Sequence, residues 1–344
     1  MSPYCQRQVT QGGAVSIFLA GSSALEYLSR EGRSIDHASA KAHAWAFRRG
    51  IPADAEVRDA LQGRLLGLQT PLHLLVSVPE RRRATHNARC RCWSGALPSK
   101  AFFQLDRQGS HFASTPEFAL VHMARELSLV RLTMALYEAC GTYRVSPGDV
   151  TRGFVDSPSL TTPDKLSRII GEIREFEGSQ RMKRALRFIA AGSASPRETA
   201  LVMLLCLPRS LGGYGLALPQ LNPVLTPPAH LARRLSQRHY VPDLYWPQAR
   251  LDVEYDSDLE HTGPNRIARD SRRRAELNAL GIEVVTITNE QLKSPRQMNE
   301  VALVIARRLG SRLRLERVAD WGLRNDRLRR QLVFPESPAP MATF

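Results

Sequence analysis

VPDLYWPQARLDVEYD, residues 241–256, decides how this chain is read. From Leu251 to Asp256 apolar and acidic residues alternate one by one, the period of a β-strand. Glu254 and Asp256 therefore point the same way, and the run forms an acidic stripe on an apolar strand. A second strand is expected from Tyr240 to Trp246, and a turn near Pro247 to Arg250 brings Asp243 back beside the stripe. Like charges so placed repel unless something neutralises them. A Mg²⁺ or Mn²⁺ ion held by Asp243 and Glu254 would do so, and phosphodiester hydrolysis needs such an ion on a rigid element. The plainer reading is a solvated edge strand whose acids pair with Arg272 and Arg273.

Working outward, the surrounding segments form an ordered set. Ser195-Pro196-Arg197-Glu198 opens a helix with a hydroxyl cap, an early proline and a first-turn acid, and the helix runs to Leu207. Gly212 to Gly215 is a loop, and a further strand is expected near Leu231 to Ser236. After the acidic strand come a helix, Ile267 to Leu280, stopped by Gly281, and a strand, Ile282 to Thr288. Further helices are expected from Pro295 to Leu309 and from Arg317 to Leu332, with a proline-rich, disordered tail from Pro335 to Phe344.

Pro242-Asp243 followed by Glu254-x-Asp256 resembles the PD-(D/E)xK nuclease signature, with the usual lysine replaced by Asp256. The longer set, with His261, Asp270-x-x-x-Arg274 and LNALGIEVVTIT, is similar to the Vsr-like endonuclease family, over about a third of the chain. The resemblance implies an α/β protein with a restriction-endonuclease-like C-terminal domain, a mixed sheet in the order helix, strand, strand, strand, helix, strand. It implies that Asp243 is the principal metal ligand, completed by Glu254 and the Tyr255 carbonyl. Asp256 would orient a water or a second metal, His261 would move a proton and Glu198 would support the site. Asp270, Arg273 and Arg274 would tie the next helix to the site or touch DNA. Ser257-Asp258-Leu259-Glu260 stands where the mismatch-repair member carries glycine and bulky aromatics, which argues against mismatch intercalation.

The N-terminal part mixes signals. Short helices are expected at Ala24–Leu28 and Ala38–Phe47, a strand at Leu72–Val78 and a hairpin around Asp106–Gly109. Two helices follow, one opened by Ser114-Thr115-Pro116-Glu117 and one from Leu129 to Cys140. PLHLLVSVPERRR and STPEFALVHMARELSL resemble AbiEi-type antitoxin regulators, which implies an α+β recognition or regulatory domain. The expected division is residues 1–145 for that domain, 146–194 for a helical connector, 195–310 for the nuclease domain and 311–344 for a basic helix and tail.

With 344 residues and a net charge of +15, the chain has room for two cores and an excess of arginine suited to a polyanion, here DNA. Arg81-Arg82-Arg83 and Arg327, Arg329 and Arg330 are basic clusters suited to phosphate. The five cysteines are odd in number and scattered, as in a reducing compartment, although Cys90-x-Cys92 near His86 has the look of half a zinc site. No apolar run reaches membrane length and no secretory signal is evident, so a cytoplasmic protein is expected. The reading is a metal-dependent DNA endonuclease of a bacterial defence, toxin–antitoxin or DNA-processing system, with a possible protein partner on the N-terminal domain. Its rival is a DNA-binding antitoxin or transcriptional regulator built on an inactive nuclease fold.

Overall fold

A computed structural model of the chain describes residues 16–31, 39–48, 52–79, 84–146, 153–173, 175–256 and 264–332, with backbone alone at 264–267. The chain divides into two compact units, Met1–His122 and Met123–Phe344.

In the first unit the elements run β1 (Ile17–Leu19), α1 (Gly21–Glu31), α2 (Ala44–Phe47), α3 (Asp54–Gln62), β2 (Leu72–Val76), β3 (Ala88–Cys92), β4 (Phe102–Gln104) and β5 (His111–Ser114). The units divide near the end of α4 (Pro116–Met123). The five strands form one mixed sheet in the order β3-β2-β1-β5-β4. β1 and β2 are buried along their whole length, which explains why they are apolar except for His73, whose Nδ1 lies 2.8 Å from the Ser22 hydroxyl. The expected hairpin around Asp106–Gly109 is the antiparallel β4–β5 pair. The helix expected from Ala38 to Phe47 is only α2, because Lys41 pairs with Phe102 at the sheet edge. Cys90 and Cys92 lie on β3, parallel to β2, and neither forms a disulfide; the spacing reports a strand period. Arg81, Arg82 and Arg83 lie outside the described residues.

The second unit runs α5 (Leu129–Cys140), β6 (Tyr143–Val145), β7 (Phe154–Asp156), α6 (Pro163–Ile173), α7 (Ser179–Leu186), α8 (Pro196–Cys206), β8 (Gln220–Leu221), α9 (Ala229–Ala232), β9 (Leu244–Trp246), β10 (Leu251–Asp256), α10 (Pro264–Ala279), β11 (Glu283–Thr288), α11 (Asn289–Lys293), α12 (Pro295–Arg308) and α13 (Trp321–Leu332). The expected break at residue 145 and the 146–194 connector give way to a single unit. α5 is apolar on most sides and packs against α7 and α8, and Tyr137 donates to the Phe188 carbonyl at 2.8 Å. The C-terminal helix belongs to the same unit: Trp321 Nε1 donates to the Gly213 carbonyl and Asn325 Nδ2 to that of Gly212.

The sheet that carries the acids is ordered β11-β10-β9-β8. β8, β9 and β10 are antiparallel, and α10 crosses over to β11, which lies parallel to β10. With α8 in front this is helix, strand, strand, strand, helix, strand, interrupted by the single turn of α9. The first strand is not at 231–236, where the arginines leave no strand alternation. It is the two-residue β8, and the loop that follows is tied down by Glu276. That carboxylate accepts from the Ser236 amide and hydroxyl and from the Tyr240 hydroxyl, at 2.9, 2.9 and 2.6 Å.

Candidate functional site

The β9–β10 register pairs Leu244 with Val253, which sets Asp243 opposite Glu254 one step further along. The Tyr255 amide donates to Asp243 Oδ2 at 2.9 Å, so an acid from the preceding loop is pinned to the strand of the other acids. Alternation puts Asp252 on the Glu254 side of β10, with Leu251 and Val253 on the opposite side in the core.

Asp252 is fully buried, and among the described residues no donor reaches either of its oxygens. Burial, then the Glu254 and Asp243 carboxylates, push its carboxyl well above the usual range, so it keeps its proton at neutral pH. Asp243 is pushed up to about 7 by burial and then by Glu198 and Glu254, against the pull of the Tyr255 amide and Arg273. Sequence reasoning named the stripe but did not single out Asp252. Its place in the LDVEYD alternation was the available signal; its burial was not legible.

The counter-charge comes from α10. Arg273 Nη2 and Nε donate to Glu254 Oε1 at 2.6 and 3.1 Å, and Nη2 also reaches the Val241 carbonyl at 2.9 Å. Burial works against the guanidinium's charge, but Glu254 outweighs it and holds Arg273 above its ordinary value. Both side chains are about three-quarters covered, at 24 % and 23 % exposed, so this is a stronger pair than a surface one. Arg273 thus joins the Val241–Asp243 loop to the acidic strand, the pairing anticipated by the plainer reading of the stripe.

Glu198 stands at the first turn of α8, where Ser195 caps the helix. Its Oε2 accepts from the Ala194 amide and from Asn222 Nδ2, and its Oε1 from the Ser195 hydroxyl. With both oxygens engaged, it acts on Asp243 as a nearby negative charge and ties α8 to the loop after β8. Asp256, half-exposed, is the last residue of β10, two places beyond Glu254. Asp270 and Arg274 are exposed on α10, and Arg274 donates to the Thr286 hydroxyl on β11 at 3.0 Å. Arg329, expected to face phosphate, is instead buried and donates to the Leu292 carbonyl. His261 lies outside the described residues.

The donor chemistry suits a hard cation. Among the described residues no three His, Cys, Asp or Glu side chains gather as a complete metal cage. Mg²⁺ is commonly held by only one or two carboxylates, with water and substrate oxygens completing its shell. Asp243 and Glu254 meet that requirement, and Asp252 is a buried carboxyl beside them without a donor of its own.

Two uncharacterized proteins of Mycobacterium tuberculosis, from strains CDC 1551 and H37Rv, are each 27 % identical to the chain over 209 residues. The match covers 60 % of this chain and 65 % of each relative. No family model matches the sequence, and no solved structure matches the fold. No helix among the described residues is long and apolar enough to cross a membrane.

Proposed function

We propose that the second unit is a metal-dependent nuclease of the restriction-endonuclease-like kind, acting on DNA. The reading is carried by one observation: Asp243, in the loop just before β9, is tied by the Tyr255 amide to β10, the strand that bears Glu254 and the buried Asp252 carboxyl. The order of α8, β8, β9, β10, α10 and β11 supports it. Asp243 and Glu254 would hold Mg²⁺ or Mn²⁺, which when bound polarises a phosphodiester and acidifies a water. A bound cation would favour the charged form of Asp243, whose carboxyl is pushed up to about 7 by burial. Arg273 orients Glu254. Arg269, Arg272 and Arg274, exposed on α10, offer positive charge to phosphates, in line with the net charge of +15.

The second reading, a DNA-binding regulator on an inactive nuclease fold, is favoured by the grip of Arg273 on Glu254 and by Asp256 in place of the motif lysine. Incubating the purified protein with supercoiled plasmid and Mg²⁺ or Mn²⁺ separates the two. The nuclease nicks or linearises the plasmid, and Asp243→Ala abolishes cleavage while its circular dichroism spectrum is unchanged. Cleavage that survives in the variant would end the assignment of Asp243. A mobility shift without cleavage in either metal would transfer the conclusion to the regulator.

A further inference from the structure

α10 sends the Arg273 guanidinium among three carboxyls. Its charge acts with Glu254 most strongly, then with Asp252 and Asp243. Asp252 shows that this group holds more acid than one guanidinium satisfies. It is fully buried on the Glu254 side of β10, and neither of its oxygens receives a hydrogen bond among the described residues.

The grip of Arg273 is lopsided. A guanidinium fork usually spreads over both oxygens of a carboxylate. Here Nε and Nη2 both fall on Glu254 Oε1, at 3.1 and 2.6 Å, and Nη2 also serves the Val241 carbonyl at 2.9 Å. Neither reaches Oε2. The pair also keeps a way out to water, because each side chain retains about a quarter of its exposure. Arg269, one turn earlier on the same side of α10, is exposed. The guanidinium can therefore turn outward without crossing the core.

A divalent cation on the same carboxylate would stand close enough to the guanidinium for strong repulsion, since this half-buried site screens charge poorly. We propose that Arg273 is a placeholder cation, which presents Glu254 to the site and gives it up when a divalent metal ion binds. Metal and guanidinium then exclude one another at Glu254, and metal binding loosens the tie between Arg273 and the Val241 carbonyl. The inference rests on the metal-binding part of the nuclease reading and adds how that site is controlled. A purely structural pin, joining loop to strand at all times, makes the opposite prediction: its removal would disorder the acids and weaken metal binding.

The test is a Mn²⁺ titration of the full-length protein without DNA, with free Mn²⁺ read by electron paramagnetic resonance. Arg273→Met should bind Mn²⁺ about tenfold or more tightly than the wild type, because a repelling charge is gone. Arg273→Lys keeps the charge and should stay close to the wild type. A second measurement follows the wild type alone. The Arg273 Nε–H signal in nuclear magnetic resonance, held by Glu254, should shift and exchange faster with solvent at Mg²⁺ concentrations that displace Mn²⁺. Unchanged or weaker Mn²⁺ binding by a folded Arg273→Met would overturn the proposal. So would an Nε–H signal indifferent to Mg²⁺, even if Arg273→Met fails to fold. Absence of Mn²⁺ binding in every protein would remove this proposal together with the metal site. Tighter binding in Arg273→Met without plasmid cleavage by any of the proteins would uphold it and remove only the nuclease.

Discussion

Replacing Asp252 with asparagine should stabilise the metal-free protein at neutral pH and flatten part of its pH dependence. The folded chain keeps a proton on the Asp252 carboxyl where the unfolded chain, with an ordinary value of 3.8, has lost it. A group whose folded value is raised lends stability below its unfolded value and loses it as pH climbs toward the folded one. One retained proton lowers unfolding free energy by about 1.4 kcal/mol per pH unit, hence about 2.7 kcal/mol between pH 5 and 7. Sharing of the proton with Glu254 and relaxation of the strand reduce the expected difference to roughly 1–2 kcal/mol. Asparagine has the shape of the protonated acid and never ionises, so the wild type should fall behind Asp252→Asn by that amount as pH rises from 5 to 7. Urea unfolding in EDTA, followed by tryptophan fluorescence, measures it; Trp246 on β9 lies beside β10. Titrating groups remote from Asp252 are common to both proteins and cancel in the difference, whereas Glu254 and Asp243 interact with it and contribute to the reduced figure. Stability curves that stay parallel from pH 5 to 8 would refute the claim that Asp252 holds a proton in the folded state.

Two other expectations concern the packing around the sites. His122 is buried among Phe118 and Trp93, its ring nitrogens have no partner among the described residues, and burial lowers its value to about 3. A base so depressed costs the folded state nothing above its ordinary 6.5, then drains stability as pH falls toward 3. His122→Phe should therefore lose about 2 kcal/mol less than wild type between pH 6.5 and 5, read from denaturant midpoints at each pH. Gly212 has φ at +92°, and an added Cβ would lie 2.3 Å from the Arg324 carbonyl oxygen. Gly212→Ala should destabilise the second unit by roughly 3 kcal/mol by displacing α13, seen as a lower Tm and faster hydrogen exchange in residues 321–332.

Much of this protein was legible in local sequence. Ser195 before Pro196 and Glu198 marked α8 to within a residue, because capping is decided by neighbours in the chain. The strict alternation of Leu251–Asp256 gave β10 and its acidic face, and Gly281 gave the end of α10, where φ is +73°. β3 escaped because Ala-Arg-Cys-Arg-Cys carries no apolar run, and β8 because two residues show no period. Tertiary structure alone decided the rest. It chose which arginine on α10 meets Glu254, since the roll of a helix over a sheet depends on packing and not on the local order of Arg272, Arg273 and Arg274. It joined residues 129–194 to the acid-bearing unit, because the apolar faces of α5, α7 and α8 find one another across tens of residues. It also buried Asp252 while leaving Asp256 half-exposed at the end of the same strand. Burial depends on what lies across a strand, and a sequence records only what lies along it.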